Sequence, residues 1–269
     1  QSFGHLICID KQGIIQGISA TIKELFSQDS SSYLGKTYAS FIDQEIPLCS
    51  ADITRYIDEI IHQKVVRKLL QVEINAEQVY LSIYQDGDYI FFEFERQIGS
   101  SVTLLQLNDF SNLLDSSAQA IWKNLSHAMR NILELERVMI MKIDDVGAGI
   151  IVADSRVDGL KPFLGHRFAE NFMTPEIVKF YEDCTTRFCV DIWESFNDFI
   201  SNKTLSIPQQ VSQLAPLPKV HMAFLKSIQV TSALFVPIRI DKEFWGLVIG
   251  QHSSKKWLDL QQRQLAALM

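Results

Sequence analysis

Cysteine is scarce in this sequence. The four present in 269 residues, Cys8, Cys49, Cys184 and Cys189, show no CxxC spacing. That argues against a zinc ribbon or a dithiol redox site, and fits buried thiols in a reducing, cytoplasmic compartment. Positive charge is also short: 25 Lys and Arg stand against 32 Asp and Glu, a net charge of −7 with no basic stripe. A general nucleic-acid binder needs the opposite balance. No apolar run approaches the ~20 residues that span a bilayer, and the first ten residues lack the charged start and apolar stretch of a signal peptide. The two Asn-x-Ser/Thr matches, at Asn124 and Asn202, are therefore read as chance. The sequence has no GxSxG, HExxH or GxxxxGK, and its six histidines are scattered without metal-ligand grouping, so no catalytic constellation is expected. The chain starts without Met and stops inside a helical pattern, which reads as a fragment of a longer protein.

What is present is ordinary globular material, 47% hydrophobic and 21% charged, in a length that suits two domains. Residues 1–98 read as short strands with small helices between them. Strands are expected at 4–10, 14–19, 69–74, 78–84 and 89–95, with a turn at Lys11-Gln12-Gly13 and a hairpin turn at Asp86-Gly87-Asp88. Helical spacing marks 21–26 and 50–62. Val79, Leu81 and Ile83 alternate as in a half-buried antiparallel strand. This order suits a PAS domain.

Ile98-Gly99-Ser100-Ser101 reads as a linker. A helical lead-in over 103–136 carries Leu104, Leu107, Leu114, Ile121, Leu125, Met129 and Ile132 at helical spacing, with Leu105, Phe110, Leu113 and Trp122 left over for a dimer interface. Strands are expected at 137–143, 149–155, 233–240 and 243–250, and helices at 175–186, 220–228 and the C-terminus. A long irregular segment, 191–219, interrupts them; loops of that length usually have a function. The expected class is α/β, with a PAS domain over 1–98 and a GAF domain over 99–269.

Five segments carry a specific resemblance: QSFGHLI at 1–7, RVMIMKI at 137–143, DGLKPFLGHRF at 158–168, VHMAFL at 220–225 and FWGLVIGQH at 244–252. Together, and in this order, they resemble the PAS–GAF photosensory module of bacterial phytochromes across essentially the whole chain. The resemblance implies a knot in which the chain before the PAS domain threads the 191–219 insertion. It also implies a linear tetrapyrrole in the GAF domain, a homodimer through 103–136 and the GAF helices, and a downstream output such as a histidine kinase.

Read position by position, the resemblance divides. His221 matches the histidine above the chromophore's pyrrole nitrogens, and Arg187 and Tyr181 match the pair that holds one propionate, a charge-assisted contact. Phe172 stands where the family has an aspartate. Met141 and Phe224 replace two tyrosines, and Ala233 and Phe235 replace the serines of the second propionate. Ala215 falls on a further arginine, and Gln251 on the histidine that meets the D-ring carbonyl. Val220 occupies one cysteine attachment position, and the bacterial attachment position lies upstream of Gln1. Burying a propionate without partners costs several kcal/mol. The expectation is a sensory input module with a degenerate pocket, no standard covalent bilin and no metal. The alternatives are a biliverdin photoreceptor and a GAF sensor of a more apolar ligand.

Overall fold

The computed structural model describes residues 3–62, 66–98, 120–144, 147–195, 198–201 and 212–269. Contacts divide the chain into a first unit of residues 1–97 with 195–214, and a second of 98–194 with 215–269.

The first unit is built on strands β1 (Gly4–Ile9), β2 (Ile15–Ser19), β3 (Arg67–Ile74), β4 (Glu77–Asp86) and β5 (Tyr89–Arg96), with helices α1 (Ser30–Tyr33), α2 (Tyr38–Glu45) and α3 (Ser50–Ile61). The β1–β2 turn is set by Asp10, whose Oδ1 accepts from the amides of Gln12 and Ile14 at 2.9 Å each, while Gly13 supplies φ +76°. The antiparallel sheet runs β3-β4-β5-β1-β2-β9, where β9 (Phe199–Ser201) comes from the later part of the chain. On its inner face Ile7, Val79, Leu81, Ile83, Phe92 and Phe94 pack against Ile53, Ile57 and Ile60 of α3.

Here the structure corrects three expectations. Residues 21–26 form a short 3-10 turn (Ile22–Glu24) rather than an α-helix. Strand β4 is buried on both faces, not one: Tyr80, Ser82 and Tyr84 are covered as well as Val79, Leu81 and Ile83. Part of that cover is the segment at 212–214, which together with residues 198–201 packs in the first unit rather than with 99–269. Buried Glu93 holds it there, its Oε2 accepting from Tyr84 Oη at 2.9 Å, Ser212 Oγ at 3.0 Å and the Gln213 amide at 3.2 Å. The first part of the 103–136 lead-in and the central stretch of the 191–219 insertion, on which the expected knot depends, lie outside the described residues.

The second unit is a five-stranded antiparallel sheet in the order β7-β6-β11-β10-β8: β6 (Arg137–Ile143), β7 (Gly149–Arg156), β8 (Arg187–Cys189), β10 (Ser232–Ile240) and β11 (Glu243–His252). Helix α4 (Ile121–Ile132) buries Leu125, Ala128 and Met129 against β6 and β7. Helices α5 (Pro175–Glu182), α6 (Lys219–Ser227) and α7 (Leu260–Leu268) follow. Helix α5 ends at Glu182, short of the expected 186, because the chain turns and Arg187, Phe188 and Cys189 pair with β10. Gly246 permits β11 to lie against β6: a Cβ there would sit 2.0 Å from the Met141 carbonyl oxygen. Among the described residues, no helix is long and apolar enough to cross a membrane.

Candidate functional site: a file of rings around His221

Side chains alternate across a strand, so the register fixes what the inner face of the second sheet presents. Leu247 lies opposite Met141, Ile249 opposite Met139, Gln251 opposite Arg137 and Ala233, and Phe235 opposite Arg187. The apolar members of this series form one buried core with Phe168, Phe172, Met173, Tyr181, Leu217 and Leu225.

His221, on α6, is fully buried in this core. Its ring lies 4.3 Å from Phe172, 5.7 Å from Phe235 and 5.5 Å from Tyr181, centroid to centroid, nearly parallel to the last two. Phe168 stacks on the far side of Phe172 at 4.3 Å, and Phe224 meets both edge-on at 5.0 and 5.7 Å. Both ring nitrogens of His221 have partners. Nε2 is 2.8 Å from the Phe172 carbonyl oxygen, which can only accept, so Nε2 carries the proton. Nδ1 is then the acceptor for the Tyr181 hydroxyl at 2.6 Å. Burial lowers the His221 pKa to about 4, partly offset by the Phe172 carbonyl. Burial also pushes the Tyr181 hydroxyl well above its ordinary value. The pair is therefore a neutral hydrogen-bonded unit near pH 7.

The structure thus joins His221, Tyr181, Phe172, Phe224 and Phe235 in one connected series of ring contacts, Phe224 reaching His221 through Phe172, with Met141 and Ala233 in the same core. Arg187 is fully buried on the same face of the sheet. Its guanidinium lies over the Phe180 ring, 4.0 Å from the centroid, and donates to the Phe180 carbonyl at 3.1 Å. Ala215 is buried as well. Gln251 lies at the edge of this face and lines a separate cleft. Sequence reasoning missed Phe168 and Met173 as members of the core; both lie beside residues it did single out, but nothing in the sequence says which face of an irregular loop turns inward. Among the described residues, no three His, Cys, Asp or Glu side chains group as for a metal ion.

Comparison with known proteins agrees with this architecture. A GAF domain model matches residues 117–269. Cyanobacterial phytochrome A of Nostoc is 22% identical over 172 residues, 61% of this chain and 21% of the relative. The bacteriophytochrome of Pseudomonas aeruginosa is 22% identical over 181 residues, 64% of this chain and 25% of the relative. The chain therefore spans about a fifth to a quarter of the length of these relatives. Among solved structures, the chromophore-binding domain of Stigmatella aurantiaca bacteriophytochrome superposes with a TM-score of 0.85 at 15% identity, covering 100% of this chain and 91% of that one. The corresponding domain of an unusual bacteriophytochrome from R. palustris gives 0.81 at 16% identity, covering 98% and 89%. With a PAS–GAF fold shared with bacteriophytochrome chromophore-binding domains and relatives among the phytochromes, the chain belongs to the GAF domain family.

Proposed function

We propose that this chain is the sensory input module of a cytoplasmic, phytochrome-like signalling protein whose chromophore pocket has become a packed core. The observation that carries the reading is His221. Its two nitrogens bond to Tyr181 and the Phe172 carbonyl, and its ring is held among Phe172, Tyr181 and Phe235. A tetrapyrrole would have to displace these rings. Its second propionate would then face Ala233 and Phe235, which offer a carboxylate no hydrogen bond, and an unpaired buried carboxylate costs several kcal/mol. The side chains as they stand do not fit a bilin. The module passes its state to an output domain through a homodimer, with no catalysis of its own; a histidine kinase is the natural class of output.

A second reading, a biliverdin photoreceptor, is favoured by His221, Tyr181 and the buried Arg187, which retain the family's residue types. Coexpression of the full-length protein with a haem oxygenase separates the two. A purified protein without a red absorption band, folded by circular dichroism, is the expected outcome. A band that shifts reversibly with red and far-red light would establish the photoreceptor instead.

A further inference from the structure

On its other face the second sheet carries α4, and one flank of that helix leaves the end of β7 uncovered. Lys123, His127 and Arg130 recur at spacings of four and three, so they share the side of α4 turned toward β7. Ser155 of β7 pairs with Val138, which alternates with Arg137 and Met139 of the inner face. Ser155 therefore projects toward α4 and away from His221. Between the helix and the turn at 156–160 lies an open cleft of about 530 Å³. None of the positions matched above to chromophore contacts lines it.

The cleft gathers positive charge in a chain that is negative overall. Lys123, Arg130 and Arg156 line it, against one exposed carboxylate, Asp158. Asp154 also borders the cleft, but its side chain is fully buried and already serves Arg137, Arg156 and the Phe163 amide. Arg130 is half-buried and held in place. Its Nε donates to Ser155 Oγ at 3.0 Å, which leaves the two Nη groups as the open end of the fork. Arg156 is fixed in the same manner, its Nε donating to the Leu160 carbonyl at 3.0 Å. Among the described residues, no carboxylate pairs with Lys123 or Arg130. The Ser155 hydroxyl accepts from Arg130 and keeps its own proton to donate.

We propose that this cleft is a binding site for the phosphate group of a small phosphate monoester, taken end-on by the Arg130 fork with Lys123 and Ser155 beside it. Three cations against one carboxylate leave a surplus that a doubly charged group neutralises and a single carboxylate does not. A phosphate monoester carries about −1.5 to −2 charges near pH 7 and three acceptor oxygens, which suits donors that converge from a helix and a strand. The volume is within the range of metabolite sites. Val157 and Leu160, both exposed at the edge of the cleft, give the body of the ester an apolar surface to lie on. The site is on the opposite face of the sheet from the ring file and does not depend on whether a bilin binds there.

The test is a titration of the full chain with phenyl phosphate, and in parallel with singly charged benzenesulfonate, at constant ionic strength. The Arg130 Nε–Hε and Ser155 amide signals are followed by nitrogen–proton NMR. A saturable shift with phenyl phosphate, and weaker binding of benzenesulfonate, is expected. Arg130→Gln should weaken phenyl phosphate binding by roughly tenfold or more, the effect of losing hydrogen bonds to a charged group. Lys123→Gln should weaken it by a few-fold, and Asp158→Asn should strengthen it by a few-fold, the worth of one exposed charge. Both of these positions are on the surface, so they decide the matter if Arg130→Gln does not fold. No saturable shift, equal binding of benzenesulfonate, unchanged affinity in a folded Arg130→Gln variant, or failure of the two surface changes to act in opposite directions would each overturn the proposal. Phosphate binding in a protein that also proved photochromic would leave this site standing and remove the reading of the ring file given above.

Discussion

The Tyr181 hydroxyl donates to His221 Nδ1 across 2.6 Å, in a region where both side chains are fully buried. The Phe172 carbonyl fixes the tautomer that makes this direction of donation the only one available to a neutral imidazole. Tyr181→Phe keeps the ring contacts and removes the donor, leaving a buried ring nitrogen without a partner. A loss of about 1–3 kcal/mol is expected, measurable by urea unfolding. An unchanged midpoint would mean that the hydroxyl contributes nothing to the core.

The same pair makes stability depend on acid. His221 titrates near 6.5 when unfolded and about 4 when folded, so between these values the unfolded chain binds the extra proton. Stability is therefore full above pH 6.5 and falls as pH drops toward 4, by up to about 3 kcal/mol from this residue. His5, which burial also lowers to about 4, acts in the same window. His221→Phe should flatten part of this slope in unfolding midpoints measured from pH 4 to 7, leaving the part due to His5.

Glu93 tests what anchors the 212–214 segment. One oxygen of this buried carboxylate serves Tyr84, Ser212 and the Gln213 amide. Glu93→Leu removes the buried acceptor that Tyr84, Ser212 and the Gln213 amide share, and a loss of several kcal/mol is expected. Hydrogen exchange at the Gln213 amide should accelerate more than exchange in β7 of the second unit. Uniform acceleration across both units would show that Glu93 supports the whole fold rather than this segment.

Backbone strain offers a gain rather than a loss. The β10–β11 hairpin turns through Asp241 at φ +53° and Lys242 at φ +71°, a pair of left-handed residues that a two-residue turn ordinarily fills with Asp-Gly or Asn-Gly. Lys242→Gly should raise stability by about 0.5–1 kcal/mol, read as a higher thermal midpoint. A lower midpoint would mean that the lysine side chain contributes more than its backbone strain removes.

The sequence made regular elements legible where period and turn chemistry agreed. Alternation in β4 and helical spacing of Ile53, Ile57 and Ile60 placed the first core correctly. The second face of β4 was not legible, because part of its cover comes from Ser212 and Gln213, more than a hundred residues away. Strand β8 was missed since three residues are too few for periodicity, and Arg187 sits in it. Resemblance selected His221, Tyr181, Phe172, Phe224 and Phe235, but it could not show them touching; only the fold brings Phe172 onto the imidazole. The cleft beside α4 was invisible for a similar reason, since Arg130 becomes a neighbour of Ser155 only when the helix packs on the strand.

The most direct measurement is nitrogen NMR of the His221 ring in the folded chain, with and without one equivalent of biliverdin. An intact ring file gives an Nε2-protonated, Nδ1-accepting imidazole near pH 7 whose signals do not move on addition of biliverdin or on red illumination. Stoichiometric displacement of those signals by biliverdin, followed by a further light-dependent change, would contradict a filled pocket and show that the rings part to admit a chromophore.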